Sequence, residues 1–265
     1  MLTDILIFGG QSNMQGQTES LIPTENNGLC FEYKYLTDTI VPLADPVGEN
    51  IRYDRSCGYP VTKEGSVGAW LEDHVAGMAC YGNTNMVPSF CKTYSELTGR
   101  TVVAVHAAKG STVIAQWLPG TAGYGLLKDK ALAAIDKAGK IFTVGNIFFV
   151  WLQGESDAIE GNGKRYYMEK LTELAGALKM DVGIERFGII RVGRFTNDQR
   201  DLEIIDAQDE ICKDNGFFLM LTRIATELNR CVRYMNPDVK GHYSAEGLIK
   251  LGDEAARTLA AFVTE

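Results

Sequence analysis

Residues 5–16 of this chain read ILIFGGQSNMQG, and the interpretation of the remaining sequence depends on this stretch. Four apolar residues followed by two glycines are typical of a short buried strand, after which glycine lets the backbone turn sharply. The pattern therefore places Ser12 at the carboxyl end of a strand. Ligands bind at this edge of open α/β sheets, so Ser12 is a candidate nucleophile whose own N–H can bind a developing oxyanion. The alternative is a serine that only caps a helix.

The glycines of this stretch also invite comparison with phosphate-binding loops. Gly9, Gly10 and Gly16 are not followed by the Lys-Ser/Thr pair of a Walker loop, and they do not form G-x-G-x-x-G. A flavodoxin-like binder of nucleotides or cofactors is therefore a disfavoured alternative.

The composition indicates a globular chain that forms a single domain over residues 1–265. It has 265 residues, of which 45% are hydrophobic and 23% charged, and a formal net charge of −8. This acidity disfavours binding to nucleic acid and to anionic membranes, since both require a basic surface. No apolar run approaches the ~20 residues of a membrane span, and no signal peptide precedes the first strand. We therefore expect a cytoplasmic protein.

The six cysteines are widely spaced and form no C-x-x-C pair, so they indicate neither a zinc site nor a redox pair. We expect free thiols that are mostly buried. These cysteines are Cys30, Cys57, Cys80, Cys91, Cys212 and Cys231.

The region from about 18 to 82 is irregular, because glycine, proline, asparagine and charged residues interrupt every apolar pattern. It is interpreted as a long loop insertion, with a turn at 45–50 and a loop at 65–70 that carries Trp70. Long loops in a compact domain are often functional, so this region is a candidate wall of a substrate site; ordinary surface elaboration is the alternative.

After residue 82, amphipathic helices alternate with buried strands. This alternation predicts a parallel sheet covered on both faces, hence an α/β fold with a three-layer α/β/α sandwich and about five strands, of the flavodoxin-like type. Besides the strand that starts at Ile5, the predicted strands are 101–106, 147–152, 187–192 and 217–221.

A parallel sheet sends the carboxyl ends of its strands to one edge, so residues that follow the other strands should meet Ser12. Gly110 follows the second predicted strand and offers an unobstructed N–H, while Gln153 follows the third and carries an amide donor. Together with the Ser12 N–H, these groups would form an oxyanion hole with three donors, which acyl transfer requires.

A general base should be one of three histidines. His106 ends a strand and is expected to be packed or supporting, and His74 lies in the irregular region. His242 precedes a final helix whose apolar face includes Leu248 and Leu251. A histidine in this position is often structural, but a strand-end serine earlier in the chain favours His242 as the base.

Four sequence blocks together resemble the SGNH hydrolase superfamily, and more narrowly its sialate O-acetylesterase and carbohydrate esterase family 6 branch, which includes acetyl xylan esterase-like enzymes. The blocks occur in the same order and span nearly the whole chain. They are GQSNM at 10–14, KGS at 109–111, WLQGESD at 151–157 and HYSAEG at 242–247.

The resemblance implies Ser12 as nucleophile, His242 as base, and Ser12, Gly110 and Gln153 as oxyanion donors. It also implies removal of O-acetyl groups from sugars without a metal or cofactor. The superfamily usually has an aspartate three positions before the histidine, whereas Asp238 precedes His242 by four. Glu155 is therefore a second candidate for the acid, and we favour it; a dyad oriented by a backbone carbonyl is the third possibility.

The resemblance leaves the acetylated saccharide open between xylan fragments, sialic acids and related sugars, and the oligomeric state undetermined. Two other functions remain as alternatives: a non-catalytic carbohydrate-binding α/β protein, and an esterase or lipase of the same superfamily that acts on a non-sugar ester.

Overall fold

The computed structural model describes residues 2–48, 83–213 and 216–264. Its centre is a seven-stranded sheet in which β1 lies between β4 and β5, with the strand order β3-β2-β4-β1-β5-β6-β7. The strands are β1 (Leu2–Gly10), β2 (Cys30–Lys34), β3 (Thr39–Pro42), β4 (Thr101–Ala108), β5 (Thr143–Leu152), β6 (Arg186–Ile190) and β7 (Phe218–Thr222).

The predicted α/β class and parallel sheet are confirmed. Every described strand pair is parallel except β2 with β3, and β1 pairs along its length with both β4 and β5. In the register of these pairs Gly10 lies opposite both Ala108 and Leu152, so the three central strands end together. The chain that leaves each of them therefore enters the same edge of the sheet.

Strands β2 and β3 correct the expectation that residues 18–82 form only loops. The sequence of β2 does not show the apolar pattern of a buried strand, because Glu32 and Lys34 are charged. Both side chains are nevertheless almost completely buried. They neutralise each other in an ion pair of 3.0 Å, which is how a charged residue can occupy an interior strand position. The 65–70 loop and Trp70 lie outside the described residues, as do His74, Cys57 and Cys80.

The helices fill the connections between the strands. They are α1 (Ser12–Gln15), α2 (Met86–Thr98), α3 (Ala122–Gly139), α4 (Glu155–Glu160), α5 (Lys164–Asp181), α6 (Gln199–Ile211), α7 (Ala225–Leu228) and α8 (Ala245–Thr264), with 3₁₀ turns at Ile114–Trp117 and Val232–Tyr234.

The helices form a layer on each side of the sheet. Helices α2 and α8 pack against each other on one face, where Phe148 of β5 meets Phe262 of α8 at 6.3 Å between ring centroids. On the other face Trp151 of β5 meets Trp117 edge-on at 5.7 Å, beneath α3, α5 and α6. Phe148 and Trp151 lie three positions apart and so point to opposite faces.

The apolar faces of the helices are buried over most of their length. Val87, Phe90 and Tyr94 of α2 are fully buried, as are Leu248 and Leu251 of α8. Two large apolar residues near helix C-termini are more exposed: Leu97 in the last turn of α2 is 49% exposed, and Phe262 near the end of α8 is 37% exposed.

Four cysteines lie among the described residues, and all have free thiols: Cys30 and Cys91 are buried, Cys212 is half-buried and Cys231 is exposed. In ranges 2–48, 83–213 and 216–264, the helices are too short or too polar to cross a membrane. Within the same ranges, no three His, Cys, Asp or Glu side chains are grouped as metal ligands.

Candidate active site

Strand β1 delivers Ser12 to the carboxyl edge of the sheet through a tight glycine turn. Gly10 has φ +147°, and a Cβ on it would collide with the carbonyl of Leu152, so only glycine fits here. The Gln11 N–H donates to that same carbonyl at 3.1 Å, after which Ser12 opens α1. Ser12 is 5% exposed, and its hydroxyl has no hydrogen-bond partner among the described residues.

Asn13 joins the three sequence blocks that were predicted to meet. Its Nδ2 donates to Glu155 Oε1 at 2.8 Å, and its Oδ1 accepts the backbone N–H of Tyr243 at 3.2 Å. The side chain next to Ser12 thus contacts both Glu155 and the neighbour of His242. The GQSNM block contains Asn13, but a local motif does not reveal contacts with residues so distant in the chain.

His242 is held against the segment that follows Ser12. The Nδ2 of Asn236, in the loop before His242, donates to the carbonyl of Gln17 at 3.0 Å. After His242, the carboxylate of Glu19 accepts the N–H of Ala245 at the start of α8, at 3.2 Å. Acidic groups at a helix N-terminus are favourable because the first N–H groups lack helical acceptors. The residues on both sides of His242 are therefore tied to 17–19.

The imidazole of His242 is buried and is bound on one side only. Nδ1 lies 3.2 Å from the carbonyl of Lys240, whereas Nε2 is buried and has no partner among the described residues. Burial lowers the pKa of His242 below its usual value, since an imidazolium is poorly solvated here, and the Lys240 carbonyl opposes this shift. With the proton on Nδ1, the unpaired Nε2 is the nitrogen that can accept another proton.

Neither candidate acid is hydrogen-bonded to His242. Glu155 is 4% exposed; one carboxylate oxygen binds Asn13, and Oε2 is buried without a partner in the described part of the chain. Burial raises the pKa of Glu155, and the hydrogen bond from Asn13 opposes the shift. Asp238 is exposed, and only its backbone N–H is bonded, to Asn236 Oδ1 at 2.8 Å. The carbonyl of Lys240, and not a carboxylate, is the acceptor next to His242 Nδ1.

Two of the three predicted oxyanion donors have protein acceptors in this structure. The N–H of Gly110 donates to Gln15 Oε1 at 2.9 Å. Gln153 Nε2 lies 2.6 Å from Asp157 Oδ2 and 2.8 Å from the Thr112 carbonyl, so both of its N–H groups are engaged. For Ser12, no acceptor of its N–H is seen among the described residues.

Both the side chain and the backbone carbonyl of Gln153 are held by hydrogen bonds. It is fully buried, and the hydroxyl of Tyr167 lies 3.0 Å from its Oε1 and 2.7 Å from its carbonyl oxygen. Gln208 Nε2 also donates to that carbonyl, at 2.8 Å. Asp157, which receives the amide, is itself bound by the N–H of Ile114 at 2.8 Å. In this geometry the hydrogen bonds of Gln153 stabilise the segment that follows β5, and its amide is not a free donor.

His106 has the supporting role that was predicted for it. It is 6% exposed, and its Nε2 lies 2.9 Å from the Met14 carbonyl and 3.4 Å from Asn85 Nδ2. Asn85 Nδ2 donates to the same carbonyl at 2.8 Å, so the two side chains together hold the end of α1.

The arrangement combines a serine with an unbonded hydroxyl, a buried neutral imidazole nitrogen and a backbone N–H at a helix start, all at one sheet edge. These are the parts of nucleophilic acyl transfer, in which a base activates the serine and N–H groups stabilise the oxyanion. Ser12 and His242 are not hydrogen-bonded to each other here, a looseness that is common before substrate binds.

Comparison with solved structures identifies several proteins of the same fold. A protein from Arabidopsis thaliana matches with a TM-score of 0.64 and 15% identity over 99% of this chain and 98% of its own. A lipase/acylhydrolase from Enterococcus faecalis matches with a TM-score of 0.52 and 12% identity over 99% and 97%. A carbohydrate acetylesterase from Xanthomonas citri gives 0.50 and 15% over 98% of this chain and 56% of its own.

No curated protein sequence matches the chain. A protein family does: the family described as carbohydrate esterase, sialic acid-specific acetylesterase, matches residues 2–261. This match covers nearly the whole chain, including the Ser12, Gln153 and His242 blocks on which the resemblance was based. The protein therefore belongs to the family described as carbohydrate esterase, sialic acid-specific acetylesterase, and is a carboxylic ester hydrolase.

Proposed function

We propose that this protein removes O-acetyl groups from carbohydrates through an acetyl-enzyme formed on Ser12. The observation that carries the proposal is the junction at Asn13, which contacts Glu155 and the segment of His242 from the residue beside Ser12. A serine that merely capped a helix would not require a buried imidazole with an unpaired nitrogen near it.

The reaction proceeds in two halves. His242 Nε2 takes the hydroxyl proton of Ser12 as Oγ bonds to the acetyl carbonyl carbon. The tetrahedral intermediate collapses, the bond to the sugar oxygen breaks, and His242 returns the proton to that oxygen. Water then attacks the acetyl-enzyme with the same help, releasing acetate and restoring Ser12.

Orientation of the imidazole is assigned to the Lys240 carbonyl, and Glu155 acts indirectly through Asn13, which binds the N–H of Tyr243 beside His242. The Lys240 carbonyl accepts from Nδ1 and selects the tautomer with a basic Nε2. We favour Glu155 over Asp238 as the acid, because Glu155 is buried beside Asn13 and keeps one unpaired oxygen, whereas Asp238 is exposed.

The oxyanion is bound first by the N–H of Ser12 and then by that of Gly110. The second donor becomes available when the Gln15 side chain leaves it, so the acetyl oxygen replaces Gln15 Oε1. Gln153 remains our third donor only if a hydrogen bond to Asp157 or Thr112 is exchanged for one to the substrate.

Support for the proposed substrate class comes from the family and from the names of the fold relatives. The family description specifies sialic acid, while the Xanthomonas citri protein is a carbohydrate acetylesterase. Because the Enterococcus faecalis relative is a lipase/acylhydrolase, a non-sugar ester is the second candidate substrate.

The test is hydrolysis of p-nitrophenyl acetate and of acetylated sugars by wild type and Ser12→Ala. We expect kcat to fall on the order of 10⁴-fold with an unchanged melting temperature, since Ser12 supplies the covalent bond. Ser95→Ala is a matched control, because Ser95 is buried at the far end of α2 and bonds Lys92. Near-wild-type turnover by Ser12→Ala would refute the proposal.

A further inference from the structure

A groove of about 530 Å³ lies at the same sheet edge and is not used by the chemistry described above. This volume is within the range of small-ligand sites. The polar residues and the aromatic residue that line it are Ser111, Gln116, Ser156, Glu160, Asn162 and Tyr166.

The groove adjoins the reaction centre at two points of the chain. Ser111 directly follows Gly110, whose N–H is a proposed oxyanion donor, and Ser156 directly follows Glu155. In addition, the backbone N–H of Ser156 donates at 3.2 Å to the side chain of Gln11, which immediately precedes the nucleophile. A ligand in the groove would therefore continue from a group bound at Ser12.

The groove keeps unused hydrogen-bonding groups after its internal bonds are counted. Gln116 Oε1 accepts the N–H of Val113 at 2.9 Å, and Asn162 Nδ2 donates to Asp157 at 2.7 Å. By contrast, the hydroxyls of Ser111, Ser156 and Tyr166 and the carboxylate of Glu160 form no hydrogen bond within the described residues. These groups match the hydroxyls of a sugar.

The groove also offers apolar surface of the shape that a sugar ring uses. Tyr166 is 39% exposed and Ile159 is 47% exposed on neighbouring helices, although both are large apolar side chains. Ser111 has φ +59°, in the left-handed region that a non-glycine residue rarely adopts and that concentrates at ligand sites. An amphipathic ring beside hydroxyl groups suits the mixed C–H and O–H faces of a pyranose.

The charge of the groove favours a neutral sugar over an acidic one. Glu160 is the ionisable carboxylate among its lining residues, and no Lys, Arg or His lines it in the described part of the chain. Arg200 is close by, donating to the Ile159 carbonyl at 3.0 Å, but it is paired with Asp198 at 2.8 Å. A ligand carboxylate would therefore meet a negative charge without a dedicated partner.

We propose that this groove is a subsite for a neutral pyranose unit attached to the acetylated sugar, with Tyr166 as the stacking surface. The inference rests on the proposed function and narrows it to acetylated neutral oligosaccharides, such as xylan fragments, in preference to acetylated sialic acid.

The first experiment compares acetylated xylotriose with p-nitrophenyl acetate, which carries no sugar. For Tyr166→Ala we expect the ratio of kcat/KM between the two substrates to fall about tenfold, mainly through KM. Met180→Ala is the matched control, because Met180 is 84% exposed on the same helix α5 and lies far from the groove. An unchanged ratio in Tyr166→Ala would overturn the subsite.

The second experiment tests whether the negative charge of Glu160 makes the groove prefer a neutral sugar over an acidic one. We expect wild type to prefer acetylated xylotriose over 9-O-acetyl-N-acetylneuraminic acid, and Glu160→Lys to shift that preference at least threefold towards the acidic sugar. A wild-type preference for the acidic sugar, or no shift in the variant, would overturn the assignment of a neutral ligand.

Calorimetric titration of unacetylated xylotriose separates this inference from the proposed function, because it needs no turnover. Binding by wild type that is weakened in Tyr166→Ala supports the subsite even if p-nitrophenyl acetate is not hydrolysed. Hydrolysis of p-nitrophenyl acetate without binding of xylotriose refutes the subsite and leaves the esterase intact.

Discussion

The two ends of strand β1 each lie beside a buried carboxylate, and these carboxylates are bonded very differently. At the start of β1, Asp4 is fully buried and accepts from the Tyr94 hydroxyl at 2.6 Å, from Arg100 at 3.0 Å and from the Asn146 N–H at 2.7 Å. At the other end, Glu155 accepts from Asn13 through one oxygen and leaves the second unpaired.

We interpret Asp4 as a structural carboxylate and propose that Glu155 is available for the reaction. Buried polar groups are almost always paired, because an unpaired one forfeits its hydration without compensation. Asp4 follows this rule completely. Near Ser12 the rule is broken twice, at Glu155 Oε2 and at His242 Nε2. A site that exchanges hydrogen bonds during a reaction needs such unpaired donors and acceptors. The Asp4 end of β1 has no such requirement.

The largest effect is expected at the reactive end. His242→Ala should lower kcat on p-nitrophenyl acetate by about 10⁴-fold with little change in unfolding temperature, because the proposed base is lost and the removed side chain has only one hydrogen bond among the described residues. The double variant with Ser12→Ala should be no worse than either single variant. Retention of more than a tenth of the wild-type activity would show that another group removes the proton.

At the Asp4 end of β1, a substitution should reduce stability and leave the esterase activity almost unchanged. Asp4→Asn should reduce the free energy of unfolding by on the order of 3 kcal/mol, because it leaves Arg100 without its carboxylate, while kcat stays within twofold. Urea unfolding and esterase kinetics measure the two quantities. Asp253→Asn is the control, since Asp253, in α8, accepts a hydrogen bond from Thr93 and has no other side-chain partner among the described residues. A tenfold loss of kcat at equal stability would abolish the distinction between the two ends.

A smaller effect separates the candidate acids. Glu155→Gln should lower kcat about 10²-fold, and Asp238→Asn should stay near wild type, because Glu155 is buried at the Asn13 junction and Asp238 is exposed. Glutamine can still accept from Asn13, so stability should be similar in thermal melts. The reverse result would assign the acid to Asp238. If neither variant loses activity, the Lys240 carbonyl alone orients His242.

The smallest effect is expected at Gln15, which occupies the N–H of Gly110. Gln15→Ala should raise kcat/KM by at most about fivefold, since the hydrogen bond that the substrate must displace is worth about 1 kcal/mol. Gln15→Glu should lower kcat/KM, because a carboxylate holds the N–H more strongly. A tenfold fall in Gln15→Ala would mean that Gln15 positions the Gly110 turn instead of blocking it.

Much of the fold was predictable because its signals are local. The apolar runs of β1, β4 and β5 and the helical faces around Phe90 and Leu251 lie within single segments, and each is buried as predicted. Strand β2 was missed because its inward positions include the charged pair of Glu32 and Lys34, whose burial is possible only when the two side chains face each other.

Within the candidate site, the sequence by itself determined the set of chemical groups: a serine after a glycine turn, a late histidine, and an amide and a carboxylate after β5. Glycine conformation and the common edge of parallel strands suffice to bring these segments together. Only the tertiary structure decided which atoms are bonded. Asn13 contacts partners that are 142 and 230 positions away in the sequence, and Gln15 accepts the N–H of Gly110, which is 95 positions away. Such contacts depend on register and side-chain rotamers across separate segments, which no local pattern encodes.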